Sequence, residues 1–230
     1  MKRAALGFFA GVRALFGGVA FIVTTPSAWG WAMIPVLVAG LLFGGGGALA
    51  IWGGTKLSEY LLLRIVFWAI GLVVAFFLAI SLAQPLSGFA LDAIARKQEL
   101  ALGGRTWPSQ PALTGALRSL RVTLTALAIG LPILAALALV TFLFPPAAVV
   151  TVPLKFIVTG VLAAYDLLDY PLSLRGRTVS DRLVFIRANF AAVLGFGVAT
   201  AALLLIPGVG LFLLPFGVAG ATRMVVEGEP

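Results

Sequence analysis

The sequence predicts an all-α integral membrane protein: two long transmembrane helices, then two helical hairpins that penetrate the bilayer part way, with short amphipathic helices. Three observations carry this prediction. Hydrophobic residues make up 61% of the 230 residues and mean hydropathy is +1.13, more apolar surface than a soluble domain of this length can hide. Charged residues are only 10% of the chain and fall between uncharged runs long enough to cross a bilayer. Two later apolar blocks turn on prolines with no side chain that seeks water, at "LFPPAAVV" and at "LIPGVGLFLLP". Nothing resembles a linker or a second polar module, so residues 1–230 read as one membrane domain.

Residues 1–24 read as an amphipathic N-terminal helix. Phe8, Val12, Leu15, Phe16 and Val19 recur at helical spacing, and Arg3 and Arg13 lie off that stripe. Thr25 is the expected N-cap of the next helix and Pro26 its first residue. Residues 26–55 carry no charge, with Trp29 and Trp31 at one end and Trp52 at the other, an aromatic belt at both interfaces. A charged loop with Lys56, Glu59 and Arg64 leads to the second spanning helix, 65–100. Its last turns are expected in water, with Asp92 and Arg96 paired at i,i+4, and Gly103-Gly104 is expected to stop it.

The first hairpin spans 118–169 and divides at Pro145-Pro146. Its first arm, Val122 to Phe144, is 23 residues, so length leaves a full crossing open beside partial penetration. Thr178-x-x-Asp181 is a capping box opening an amphipathic helix, 178–187. The second hairpin, 188–226, contains 35 uncharged residues and divides at Pro207-Gly208. Its tip, Pro207 to Gly210, is expected inside the membrane against protein, because non-helical backbone is tolerated there only when surrounded.

Charge sets the expected orientation. If the two long helices cross and each hairpin returns to the side it left, thirteen Lys and Arg share one side and only Lys56 and Arg64 lie opposite. That asymmetry places both termini in the cytoplasm. It also argues against nucleic acid, since the positives flank apolar runs instead of interleaving with aromatics on a polar face.

The chain has neither Cys nor His, which excludes disulfides, thiolate nucleophiles and imidazole metal sites. No nucleophile–base arrangement stands out, so no catalytic residue, metal or cofactor is expected. "GGGG", Gly44 to Gly47, lacks the Lys-Ser/Thr of a phosphate loop and, with Gly40, reads as a packing face. The helix start Pro26-Ser27-Ala28-Trp29-Gly30 offers free backbone N–H groups and the positive dipole end, a candidate anion site as well as an ordinary capped terminus. Lys155, charged and mid-arm, is either a pathway residue or a side chain that snorkels to an interface. Asp166 and Asp169 lie one turn apart and are expected to pair with Arg175, Arg177 or Arg187.

Asp169-Tyr170-Pro171, a basic segment, Gly195-Phe196-Gly197, Ile206-Pro207, Leu214-Pro215 and Gly220-Ala221-Thr222 occur in that order. This set resembles the C-terminal half of the CysZ-type sulfate permeases, grouped with the etoposide-induced proteins. "AQPLSGFALDAIARKQELALGG" is similar to that family's segment after its second spanning helix, and "TTPSAWGWAMIPVLVAG" to its first. The resemblance implies two long spanning helices, two half-penetrating hairpins, a homo-oligomer in the bacterial inner membrane, and passage of sulfate inward for cysteine synthesis. Family members place a basic pair that contacts sulfate at the start of the first spanning helix. Here residues 26–30 hold no Arg or Lys. Arg13 is the candidate replacement, while Arg182 and Arg187 are expected to concentrate anions near one mouth. The leading expectation is thus a transmembrane pathway for sulfate or a related oxyanion. The alternative is a non-transporting membrane scaffold or regulatory protein of the same fold.

Overall fold

The computed structural model describes residues 5–57, 59–108, 112–206 and 209–229, and these are helical with short connections. Helix α1 is Phe8–Thr24, α2 Pro26–Leu57, α3 Leu61–Leu86, α4 Gly88–Ala101 and α5 Ala112–Leu143. A single 3₁₀ turn, Pro145–Ala147, leads to α6, Ala148–Leu174, followed by α7, Val179–Ala188, α8, Phe190–Leu204, and α9, Val209–Gly228. Among the described residues four helices are long and apolar enough to cross a membrane: α2, α3, α5 and α6 together with its leading turn. The protein is therefore an all-α, multi-pass membrane protein. Helix α8, at 15 residues, rises about 22 Å, short of the roughly 30 Å hydrocarbon core. The Pro207-Gly208 turn expected at its tip lies outside the described residues, as do Lys2 and Arg3.

The core gathers α1, α4, α6, α8 and α9 around Leu15, Ile94, Tyr170, Phe196 and Met224, all fully buried. In lipid, apolar side chains gain little by meeting each other, and small residues let backbones close up instead. Gly11 of α1 lies against the Ala192 carbonyl of α8, Gly195 of α8 against the Phe8 carbonyl, and Gly160 of α6 faces Gly197 of α8. Small residues likewise mark the packing face of α1. Gly11, Ala14, Leu15, Gly18 and Ile22 turn inward, whereas Phe8 and Phe16 are exposed. The large apolar side chains face outward because the medium there is lipid.

A correction concerns the span 65–100. It is two helices that part at Ser87, whose hydroxyl donates to the Ala83 carbonyl. Pro85 lacks the N–H that would continue the ladder, and Gly88 follows directly. The part expected in water, α4, is instead packed: Asp92 and Glu99 are 3% and 2% exposed. The packing face of α2 is corrected too. Gly40, Gly44 and Gly45 meet nothing, and the contacts to α3 run through Gly46, Gly47 and Gly54 against Ala75, Leu72 and Trp68.

Helix α7 begins with the capping box read from the sequence: Asp181 N–H donates to Thr178 Oγ1 at 3.3 Å and Thr178 N–H to Asp181 Oδ2 at 3.0 Å. At Asn189 the chain turns 90° into α8. The Asn189 carboxamide holds this corner, accepting from Leu6 N–H at 3.2 Å and donating to the Phe185 carbonyl at 3.2 Å.

Candidate functional site

Helix α2 starts where the chain leaves α1 by a single residue, Thr25. Ala28 is fully buried and its N–H donates to the Thr25 carbonyl at 2.9 Å, so one of the expected free donors is already engaged. Trp29 is more than a membrane anchor, since its indole N–H donates to the Ile22 carbonyl at 2.8 Å and pins the end of α1 to the start of α2. Gly30 is exposed with open space around it, and Ser27 faces out beside it.

The charge that residues 26–30 lack comes from α4. Lys97 Nζ donates to Ser27 Oγ at 3.3 Å. The packing of α4 against α2 brings this ammonium to the positive end of the α2 dipole. Two positive features side by side repel each other, and an anion between them relieves both. The sequence reading missed Lys97 because it lies 70 residues from Ser27, in a segment assigned to water. Arg13, the expected replacement, is exposed on α1 and makes no hydrogen bond or ion pair among the described residues.

The remaining candidates separate. Lys155 is half-buried between the arms of the first hairpin. Its ammonium donates to Thr141 Oγ1 at 2.9 Å, and Thr141 and Thr151 share a hydrogen bond of 2.6 Å. The hairpin thus carries its own polar cluster, and Lys155 does not approach Ser27. Asp166 accepts from Gln84 Nε2 of α3 at 2.8 Å, not from the arginines expected. Asp169 takes Arg182 as its ion-pair partner, with Ser173 Oγ donating to it at 2.9 Å. Arg182 is therefore a buried structural cation and not an anion collector on the surface; its Nη2 also donates to Ser173 at 2.8 Å. Arg187 is exposed in the last turn of α7, where a cation suits the helix dipole.

Arg175 is likewise taken. Arg175 donates to Glu99 at 2.8 Å and lies 2.7 Å from Glu229, with Trp107 stacked 5.7 Å away, so it ties α4, α6 and the C-terminal end together. Arg177 reaches Glu229 at 3.8 Å. These groups line a cavity of about 730 Å³ in which Arg105, Arg175 and Arg177 face Glu99, Asp181 and Glu229, a balanced set of charges.

A family model described as "Sulfate transporter CysZ/Etoposide-induced protein 2.4" matches residues 14–215. The chain belongs to that family. The match runs from the middle of α1 to Pro215 in α9 and so takes in the α2 start, the buried Asp169–Arg182 pair and the corner at Asn189. No curated protein matches the sequence.

Proposed function

We propose that this protein is a membrane pathway for sulfate or a related oxyanion, serving uptake for sulfur assimilation across a bacterial inner membrane. In this reading both termini are cytoplasmic, the two hairpins enter the bilayer part way, and the chain works as a homo-oligomer. The observation that carries it is Lys97 Nζ held 3.3 Å from Ser27 Oγ at the start of α2. Lys97 restores, from another helix, the positive charge that the family places within the helix start. Residues 26 to 30 supply backbone and hydroxyl donors, and the ammonium supplies the charge-assisted contact that a dianion requires, about twice as strong as a neutral one.

The absence of any Arg or Lys within residues 26–30 favours a second reading, a non-transporting scaffold of the same fold. Uptake of radiolabelled sulfate into proteoliposomes separates the two. Transport predicts flux above protein-free vesicles that falls about tenfold or more in Lys97→Gln, the size of one lost charge-assisted hydrogen bond. A scaffold predicts no flux of sulfate, thiosulfate or phosphate and co-purification of a stoichiometric partner, and that outcome sinks the transport reading.

A further inference from the structure

A second, smaller cavity lies between α5, α6 and the start of α7. It measures about 310 Å³ and is lined by Arg121, Arg177 and Arg182 together with Thr125, Tyr165 and Thr178. Unlike the larger cavity, it has no carboxylate on its wall among the described residues. Asp169 answers the charge of Arg182 from behind. Glu229 lies 3.8 Å from Arg177 but is held closer, at 2.7 Å, by Arg175. Arg121 has no ion pair among the described residues. Arg182 is 7% exposed, and its Nε is buried with no hydrogen-bond partner. A buried guanidinium N–H without an acceptor is costly unless something fills the place.

We propose that this cavity binds a tetrahedral oxyanion. Guanidinium groups present N–H donors in a planar fork that fits two oxygens of one sulfate or phosphate. The Tyr165 hydroxyl supplies a further donor, while those of Thr125 and Thr178 donate to the Arg121 carbonyl and to Asp181. Exposed Leu117, Leu120 and Leu124 flank Arg121 on α5, so a lipid phosphate reaches the cavity from the bilayer as readily as a free ion reaches it from water. The site is separate from the start of α2 and does not require flux. It stands or falls by binding alone.

The test uses the full chain purified in a zwitterionic detergent, with inorganic sulfate and inorganic phosphate as probes in equilibrium binding. A Lys97→Gln background removes the contribution of the α2 start. In that background Arg121→Gln with Arg177→Gln, both exposed side chains, is expected to weaken binding about tenfold or more, while Arg105→Gln on the balanced cavity leaves it unchanged. Each single variant carries the same test separately if the double variant does not give a monodisperse protein. Native mass spectrometry from nanodiscs with and without phosphatidylglycerol distinguishes the source. Retention of that lipid, lost in the same variants, assigns the site to a lipid phosphate even where free sulfate does not bind. Binding of neither anion nor lipid, or binding indifferent to Arg121 and Arg177, overturns the proposal.

Discussion

Glycine closes two interfaces of this protein in different ways. Between α2 and α3, a methyl group added at Gly46 would meet the Ala75 side chain at 3.0 Å, and one added at Gly47 a Leu72 methyl at 3.2 Å. Between α1 and α8, a methyl on Gly11 would lie 1.8 Å from the Ala192 carbonyl oxygen, and one on Gly195 would lie 2.0 Å from that of Phe8. In the first interface the neighbours are side chains: the end of Leu72, opposite Gly47, can give by a few tenths of an ångström, while a methyl on Gly71 would lie 2.4 Å from the Ala50 Cβ. In the second a glycine faces backbone, which cannot move without dismantling a helix. The α2–α3 hairpin is a lipid-facing pair whose seam is side chain on glycine, forgiving at Gly47 and tight at Gly71. The bundle of α1, α6, α8 and α9 is where close approach specifies the fold.

The largest effect that tests this difference is expected from Gly11→Leu or Gly195→Leu. Either substitution should abolish the folded protein, seen as loss of the monodisperse peak on size exclusion in detergent. Gly47→Ala should shift the melting temperature only slightly, and Gly40→Ala, in open space, not at all. Equal behaviour of Gly11→Leu and Gly40→Ala would erase the distinction.

A smaller effect is expected where charge, not shape, ties the core. Asp169 and Arg182 pair with side chains only 2% and 8% exposed. Removing one partner of a buried pair leaves the other charge uncompensated, a loss of about 3–5 kcal/mol. Asp169→Ala should therefore lower thermal stability in detergent far more than Arg187→Gln, an exposed change expected within about 0.5 kcal/mol. The variant Asp169→Ala with Arg182→Met, which removes both charges, should recover much of the loss. Failure of the double change to recover any stability would mean that Ser173 and the surrounding packing, not the ion pair, carry the energy.

Long uncharged runs, Pro26 and the Thr178–Asp181 box were legible from the chain because each is a local signal, resolved within a turn or two of helix. The break at Ser87 was missed because Pro85 is tolerated within a helix and the apolar run continues past it. The partners of the charges were missed for another reason. Ser27 meets Lys97 across 70 residues, Glu99 meets Arg175 across 76, and no periodicity encodes such distances. Which face of α1 turns inward is equally hidden from the usual rule, large apolar side chains inside, because that rule assumes water outside. Where the outside is lipid, the smallest residues mark the interface, and Gly11, Ala14 and Gly18 carried that signal in the sequence.

The smallest expected effect lies at the start of α7, outside both interfaces. The Thr178 hydroxyl donates to Asp181 Oδ2 at 2.7 Å and the Thr178 N–H at 3.0 Å, and Arg177 lies nearby. These donors favour the ionised carboxylate and hold it below its ordinary value of 3.8, against a slight opposing desolvation. A carboxyl group whose pKa is lower folded than unfolded contributes stability in full above the unfolded value. That contribution fades as pH falls through the folded value. Amide exchange at Asp181 and Arg182 should therefore stay slow down to a pH near 3.8 and rise below it. In Asp181→Asn the same amides should exchange faster at neutral pH and show no such acid step. Because every other carboxylate is common to both proteins, the difference between them isolates the box. A gap between the two that widens on acidification would reverse the sign and assign the start of α7 to a different contact.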